Sequence, residues 1–310
     1  MKKHLFILSV AIFACGILSG QSNSNTQPVV KHEYTVYAGG GLSTLRYQSA
    51  IASCSGMAGG LLGAGYRFFF TKNFGFGAGL ELSFYNAKGL IGDYSYLEQA
   101  KDYEGANFEF RTTLRDYVER ESVTMCNIPV MLRYRGDPER NTFYFAVGGK
   151  LSIPVSGKYR IVGGTSSNSG YYAEENYEYT EQKFMGFGSF PEFGDQEIKL
   201  TTTLILAAEA GVSWRLQYLL LYTGVYVDYG FKKNMVKRSG ELIASYNRDN
   251  PAMGSMLTSQ YRLPDGSRES IVKEDVLPVA VGLKVGVTLG HGRKKEKYGN
   301  YDHAPVFRGK

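Results

Sequence analysis

Histidine, cysteine and tryptophan are all scarce in this 310-residue chain, at four, three and one. No apolar run reaches the ~18 residues a membrane helix needs, which excludes a helical membrane protein. Three cysteines are too few to staple a chain of this length, which excludes a disulfide scaffold. Excess charge is missing from the body as well. The formal +6 comes from Lys2 and Lys3 and from the last twenty residues, so residues 21–290 balance acid against base. That balance excludes a nucleic-acid footprint on the main domain. What is abundant is glycine, at 38 residues, and aromatics, at 14%. Together they favour strands and turns over packed helices.

Residues 1–20 read as a signal peptide. Met1-Lys2-Lys3 is a charged start, Leu5–Leu18 a short apolar core, and Ser19-Gly20 a small-residue exit before the polar stretch that opens at Gln21. Export with cleavage close to Gln21 is expected. Residues 21–33 then form a polar N-terminal segment, and residues 291–310 a basic tail that starts at His291-Gly-Arg-Lys-Lys.

Between them the recurring period is two. In Phe74–Tyr85 one face carries Phe74, Phe76, Ala78, Leu80, Leu82 and Phe84, and the other Gly75, Gly77, Gly79, Glu81, Ser83 and Tyr85. The same alternation marks eight segments, near 34–43, 57–70, 74–85, 121–135, 142–155, 201–216, 219–231 and 277–289. Intervals between them alternate long and short without exception. The short ones are Thr71–Asn73, Gly136–Asn141 and Gln217-Tyr218, with turn residues in the first two. Each segment is long enough to cross a bilayer as a tilted strand. The expectation is all-β: an eight-stranded antiparallel up-and-down transmembrane barrel over residues 34–290, with long external loops and the tail in the periplasm. A soluble barrel would not carry glycine on its solvent face, whereas the cramped interior of a small barrel needs it.

The runs Tyr37–Ser43, Gly63–Leu82, Cys126-Asn-Ile-Pro-Val-Met-Leu-Arg-Tyr-Arg135, Phe143–Lys150 and Val281–Val287 resemble outer-membrane barrels of Bacteroidetes, of the PorT-like and OmpA-like kinds. The resemblance covers the barrel portion alone. It implies eight strands in the outer membrane and no enzymatic activity. The peptidoglycan-binding domain that follows the barrel in OmpA-like proteins has no counterpart in the twenty residues after it.

Catalytic, cofactor and metal sites are not expected. His4, His32, His291 and His303 all fall outside the eight segments and the external loops, so no histidine base is available at the outer rim. No His/Cys/Asp cluster has metal spacing. The Gly75-x-Gly77-x-Gly79 run lies inside a strand, where a phosphate loop cannot form. Cys54, in the first long loop, and Cys126, in the fourth strand, are expected to be free thiols. Alternation points Glu81, Lys150, Glu209, Asp228, Lys284, Arg67, Arg133 and Arg215 inward, where unpaired charge is costly. They are expected to form a connected network that plugs the barrel. Phe74, Tyr134, Phe143 and Trp214 sit on the apolar face near the short turns, as interfacial aromatics should. Tyr94, Tyr96, Tyr103 and Tyr117 in one long interval, and Tyr171, Tyr172, Tyr177 and Tyr179 in the next, make two tyrosine-rich loops suited to binding a surface ligand or envelope partner. The functional expectation is a structural or surface-interaction barrel, partnered by outer-membrane lipids or by an envelope or secretion assembly. A small solute pore is the alternative, and a lipid-acting barrel enzyme comes third.

Overall fold

A computed structural model describes residues 32–137, 141–190, 193–216, 219–231, 235–246 and 253–289. The expected signal peptide, the first eleven residues of the polar segment, the basic tail and the turns 138–140 and 217–218 lie outside them.

The alternating segments are strands because each offers apolar side chains on one face and small or charged ones on the other. Both faces are satisfied only when neighbouring strands pair edge to edge. Eight long strands do so: β1 (His32–Arg46), β2 (Ala52–Phe69), β3 (Phe74–Ile91), β4 (Asn107–Arg135), β5 (Thr142–Tyr172), β6 (Thr203–Arg215), β7 (Leu220–Gly230) and β8 (Leu277–Leu289). Each pairs antiparallel with the next, and β1 pairs with β8 from Tyr34↔Leu289 to Arg46↔Leu277. The sheet is therefore closed, and the ring leaves no barrel edge unpaired.

Strand lengths depart from the sequence reading at the long-loop end. β4 and β5 run for 29 and 31 residues and stay paired from Arg135↔Tyr144 out to Glu109↔Tyr171. The period-two signal fades between these limits because the register shifts at Arg115/Val118, where Asp116 has φ 46° and Gly164 φ 82°. A bulge flips the parity of everything beyond it, so the upper half reads as irregular. Tyr94–Lys101 adds a further strand against β4. Cys54 accordingly lies within β2 rather than in a loop, and both it and Cys126 are free thiols. His32 is the first residue of β1, not a residue before it.

Residues of the last long interval fold back over the barrel mouth. Met235, Val236, Leu257, Val272 and Val276 pack against inward-facing Leu45, Tyr85, Val123, Met125 and Tyr226. Ile243, Met253, Met256 and Ile271 pack against Ile91, Leu114, Tyr117 and Ile161. The segment is tied down by Tyr159, whose hydroxyl donates to the Met253 carbonyl at 2.7 Å, and by an Arg268–Glu98 ion pair at 2.5 Å.

Candidate functional site

The outer surface is apolar over a band. On β3 Phe74, Phe76, Leu80, Leu82 and Phe84 are all exposed, as are Val130, Leu132 and Tyr134 on β4 and Phe143, Phe145, Val147, Leu151 and Val155 on β5. About ten residue steps at ~3.3 Å, tilted by ~40°, give a band about 25 Å tall, the height of a bilayer's hydrocarbon core as barrels meet it. Phe74, Tyr134, Phe143 and Trp214 are exposed at its short-turn edge. Phe74 and Tyr134 rings lie 5.1 Å apart, and the Trp214 indole N–H donates to Thr223 Oγ1 at 2.9 Å.

Inside the same band the charges converge. Lys150 Nζ lies 2.6 Å from Glu81 Oε1 and 2.7 Å from Asp228 Oδ2. Lys284 pairs with Glu209 and lies 3.9 Å from Glu81 Oε2, and Arg133 Nη2 reaches Glu209 Oε2 at 2.9 Å. The six side chains thus form one chain across six strands, β3 to β8. Asn127 and Ser83 donate to Glu81 Oε1 at 3.2 and 3.0 Å, and Ser152 donates to Asn127. A second cluster sits nearer the short turns, where Glu33 pairs with Arg135 and lies 3.9 Å from Arg67.

Seven of the eight residues expected inside are there, each at most 7% exposed. Arg215 is the correction. It is exposed at the last residue of β6, where the strand ends before the interior can enclose it. Glu33 and Arg135 take part instead. The first was hidden by assigning residues 21–33 to a polar segment, although Glu33 stands opposite Arg67 in the β1–β2 register. The second was missed although it keeps the inward parity of Arg133.

Sequence reasoning also missed the inward tyrosines. Lys284 Nζ lies 3.8 Å from the Tyr37 ring centroid, Arg67 lies over Tyr222 at 4.3 Å and Arg133 over Tyr144 at 5.0 Å. Each ring occupies space left by a glycine. A Cβ on Gly63 would come within 2.4 Å of the Tyr37 ring, and one on Gly286 within 2.3 Å of the Tyr222 ring. The glycine face is therefore what lets aromatic rings lie flat beside the cations and stabilise them. The signal was available: Tyr37 stands opposite Gly63 and Gly286 in the registers on its two sides.

Little space is left. A cavity lined by Tyr37, Arg133, Lys150, Glu209 and Lys284 measures about 30 Å³, room for about one water. The tyrosine-rich intervals are mostly packing too. Tyr96, Tyr117 and Tyr172 are buried, with Tyr172 stacked on Phe108 at 5.1 Å, while Tyr103 and Tyr177 are exposed. Among the described residues no group of three or more His, Cys, Asp or Glu is placed to hold a metal.

The closed ring defines the class: an all-β, eight-stranded antiparallel barrel. No protein-family model and no curated protein matches the chain. Three solved structures align over most of it. The Neisserial surface protein A matches with 13% identity and a TM-score of 0.30 over 82% of this chain and 95% of its own. Ail, the attachment invasion locus protein of Yersinia pestis, solved with a heparin analogue, matches with 10% identity, TM-score 0.29 and coverage of 84% and 99%. The outer membrane protein OprG of Pseudomonas aeruginosa gives 11%, 0.32, and 84% and 99%. At these scores the barrel assignment rests on the strand pairing itself.

Proposed function

We propose that the chain is an outer-membrane β-barrel that acts as a sealed structural or surface-interaction element, without enzymatic activity. The observation that carries this reading is the filled lumen. An ionic network occupies the level of the apolar band, and an apolar cork from residues 235–246 and 253–276 closes the long-loop mouth above it. A pore needs a continuous aqueous path, and the side chains occupy its place. A lipid-acting site needs a base near the headgroups. The one histidine in the described residues, His32, lies at the opposite, short-turn end, hydrogen-bonded to Tyr66.

In this reading a signal peptide exports the chain, the long connections face outward, and the short turns and basic tail face the periplasm. The Cys126–Arg135 strand supports kinship with PorT-like barrels, and the tall β4–β5 wall is the surface offered to an envelope or secretion partner. An epitope inserted at Ser167 should be labelled on intact cells, and one after Arg308 only after permeabilisation. The opposite pattern would refute the topology.

A further inference from the structure

The charges inside the ring do not balance. Among the described residues, the buried bases from the short turns up to the apolar layer of Tyr85, Val123 and Met125 are Arg67, Arg133, Arg135, Lys150 and Lys284. The buried acids over the same height are Glu33, Glu81, Glu209 and Asp228, and five against four leaves one positive charge over. Glu119 and Glu121 lie beyond that layer on β4, where Glu119 is bonded to the cork. A buried charge without a counter-charge is costly. Lys150 touches Glu81 and Asp228, Lys284 and Arg133 share Glu209, and Arg135 pairs with Glu33. Arg67 is left with Glu33 Oε2 at 3.9 Å, beyond hydrogen-bonding reach, and with the face of the Tyr222 ring. Among the described residues its guanidinium makes no hydrogen bond, although Arg67 is buried. The Arg133 Nε is also buried without a partner.

These two arginines stand on either side of β3, opposite Gly77 and Gly75 in its two registers. The glycines put no side chain between them. Arg67 and Arg133 accordingly line one cavity of about 30 Å³ with Gly77 and Gly79. Its charged lining is four bases, Arg67, Arg133, Lys150 and Lys284, against two acids, Glu81 and Glu209.

We propose that this cavity is a binding site for a small monovalent anion of the halide class, held between the guanidinium groups of Arg67 and Arg133. One negative charge cancels the excess, and it gives an acceptor to N–H groups that no protein oxygen reaches. Room for about one water admits chloride or bromide and is too small for phosphate. The site requires the closed ring and not the sealed lumen, so it stands equally in a barrel that conducts.

The test follows reversible unfolding of the full-length mature chain in detergent, with chloride replaced by gluconate at constant ionic strength. Gluconate is too large for the cavity. Raising chloride from none to about 0.3 M should lower the wild-type unfolding constant at least tenfold, as for a site half-filled near ~30 mM. Arg67→Gln, which removes the excess charge, should lose that response. Arg120→Gln, exposed on the outer face, should keep it. A second measurement needs no variant: bromide soaked into wild-type crystals should give an anomalous peak between Arg67 and Arg133. Equal wild-type stability in chloride and gluconate, a chloride response that survives Arg67→Gln, or a cavity without a bromide peak would each overturn the site.

Discussion

The Lys150 ammonium meets the Glu81 carboxylate at 2.6 Å across an intervening strand, β4, and holds Asp228 at 2.7 Å on its other side. The bond ties β3 to β5 and β7 through the lumen, so the barrel is braced across its interior as well as around its wall. Removing one partner strands a buried charge. Glu81→Ala should therefore lose about 3–5 kcal/mol in reversible unfolding from detergent or lipid. Arg215→Ala, at an exposed strand end, should change stability by well under ~1 kcal/mol. Equal losses for the two would show that the network does not brace the barrel.

The glycine face makes a separate prediction. Gly63→Val places bulk within 2.4 Å of the Tyr37 ring and must push it off Lys284. A loss of about 1–3 kcal/mol is expected, typical of overpacking. Gly63→Val combined with Tyr37→Ala should recover part of it, and an unchanged loss in the double variant would contradict the spacing argument.

Glu119 and Glu121 supply a pH dependence. Both are fully buried on the inward face of β4, four or more residues beyond the apolar stretch of that strand. Glu119 accepts hydrogen bonds from Ser255, from the Met256 N–H at 2.9 Å and from the Tyr117 hydroxyl at 3.2 Å. Among the described residues the two Glu121 oxygens have no hydrogen-bond partner. Tyr47, Cys54, Tyr117 and Tyr159 surround the pair, and none is basic. Burial pushes the Glu119 carboxyl up to about 7, and burial with the Glu119 charge beside it pushes Glu121 well above the usual carboxylate range. The closed form thus holds protons that an opened form releases. Docking of residues 253–276 is strongest below the ordinary carboxyl range and weakens as pH rises through about 7, by up to ~1.4 kcal/mol per pH unit for each carboxyl being titrated. Amide-exchange protection at Met256 should fall across that range in the wild type and stay flat in Glu119→Gln/Glu121→Gln. A flat wild-type profile would mean that the pair does not latch the segment.

Trp214 tests the depth assignment. Its emission should be quenched more by lipids brominated near the headgroup than by lipids brominated at the chain ends. Stronger quenching from the chain ends would place the short turns at the wrong depth.

The eight strands, their faces and most of the inner charges were legible because one rule, period two, governs all of them. Legibility ended where that rule breaks. The bulge beside Asp116 concealed the upper halves of β4 and β5, and the register shift between Gly56 and Gly60 concealed the place of Cys54 in β2. Glu33 and Arg215 show the limits at strand ends, where parity gives direction and the end of the wall decides enclosure. The cork was not legible at all. Met235, Leu257, Met256 and Ile271 are scattered through an interval with no period, and the side chains that receive them come from nearly every strand.

The central claim is that the lumen is shut by the Glu81–Lys150–Asp228 and Glu209–Lys284–Arg133 triads and capped by residues 235–246 and 253–276. Single-channel recording of the purified barrel in planar bilayers tests it most directly. The wild type should incorporate without steady ohmic conductance at neutral pH, and a variant that combines Lys150→Ala/Lys284→Ala with deletion of residues 235–276 should conduct. Steady conductance from the wild-type protein would contradict the account.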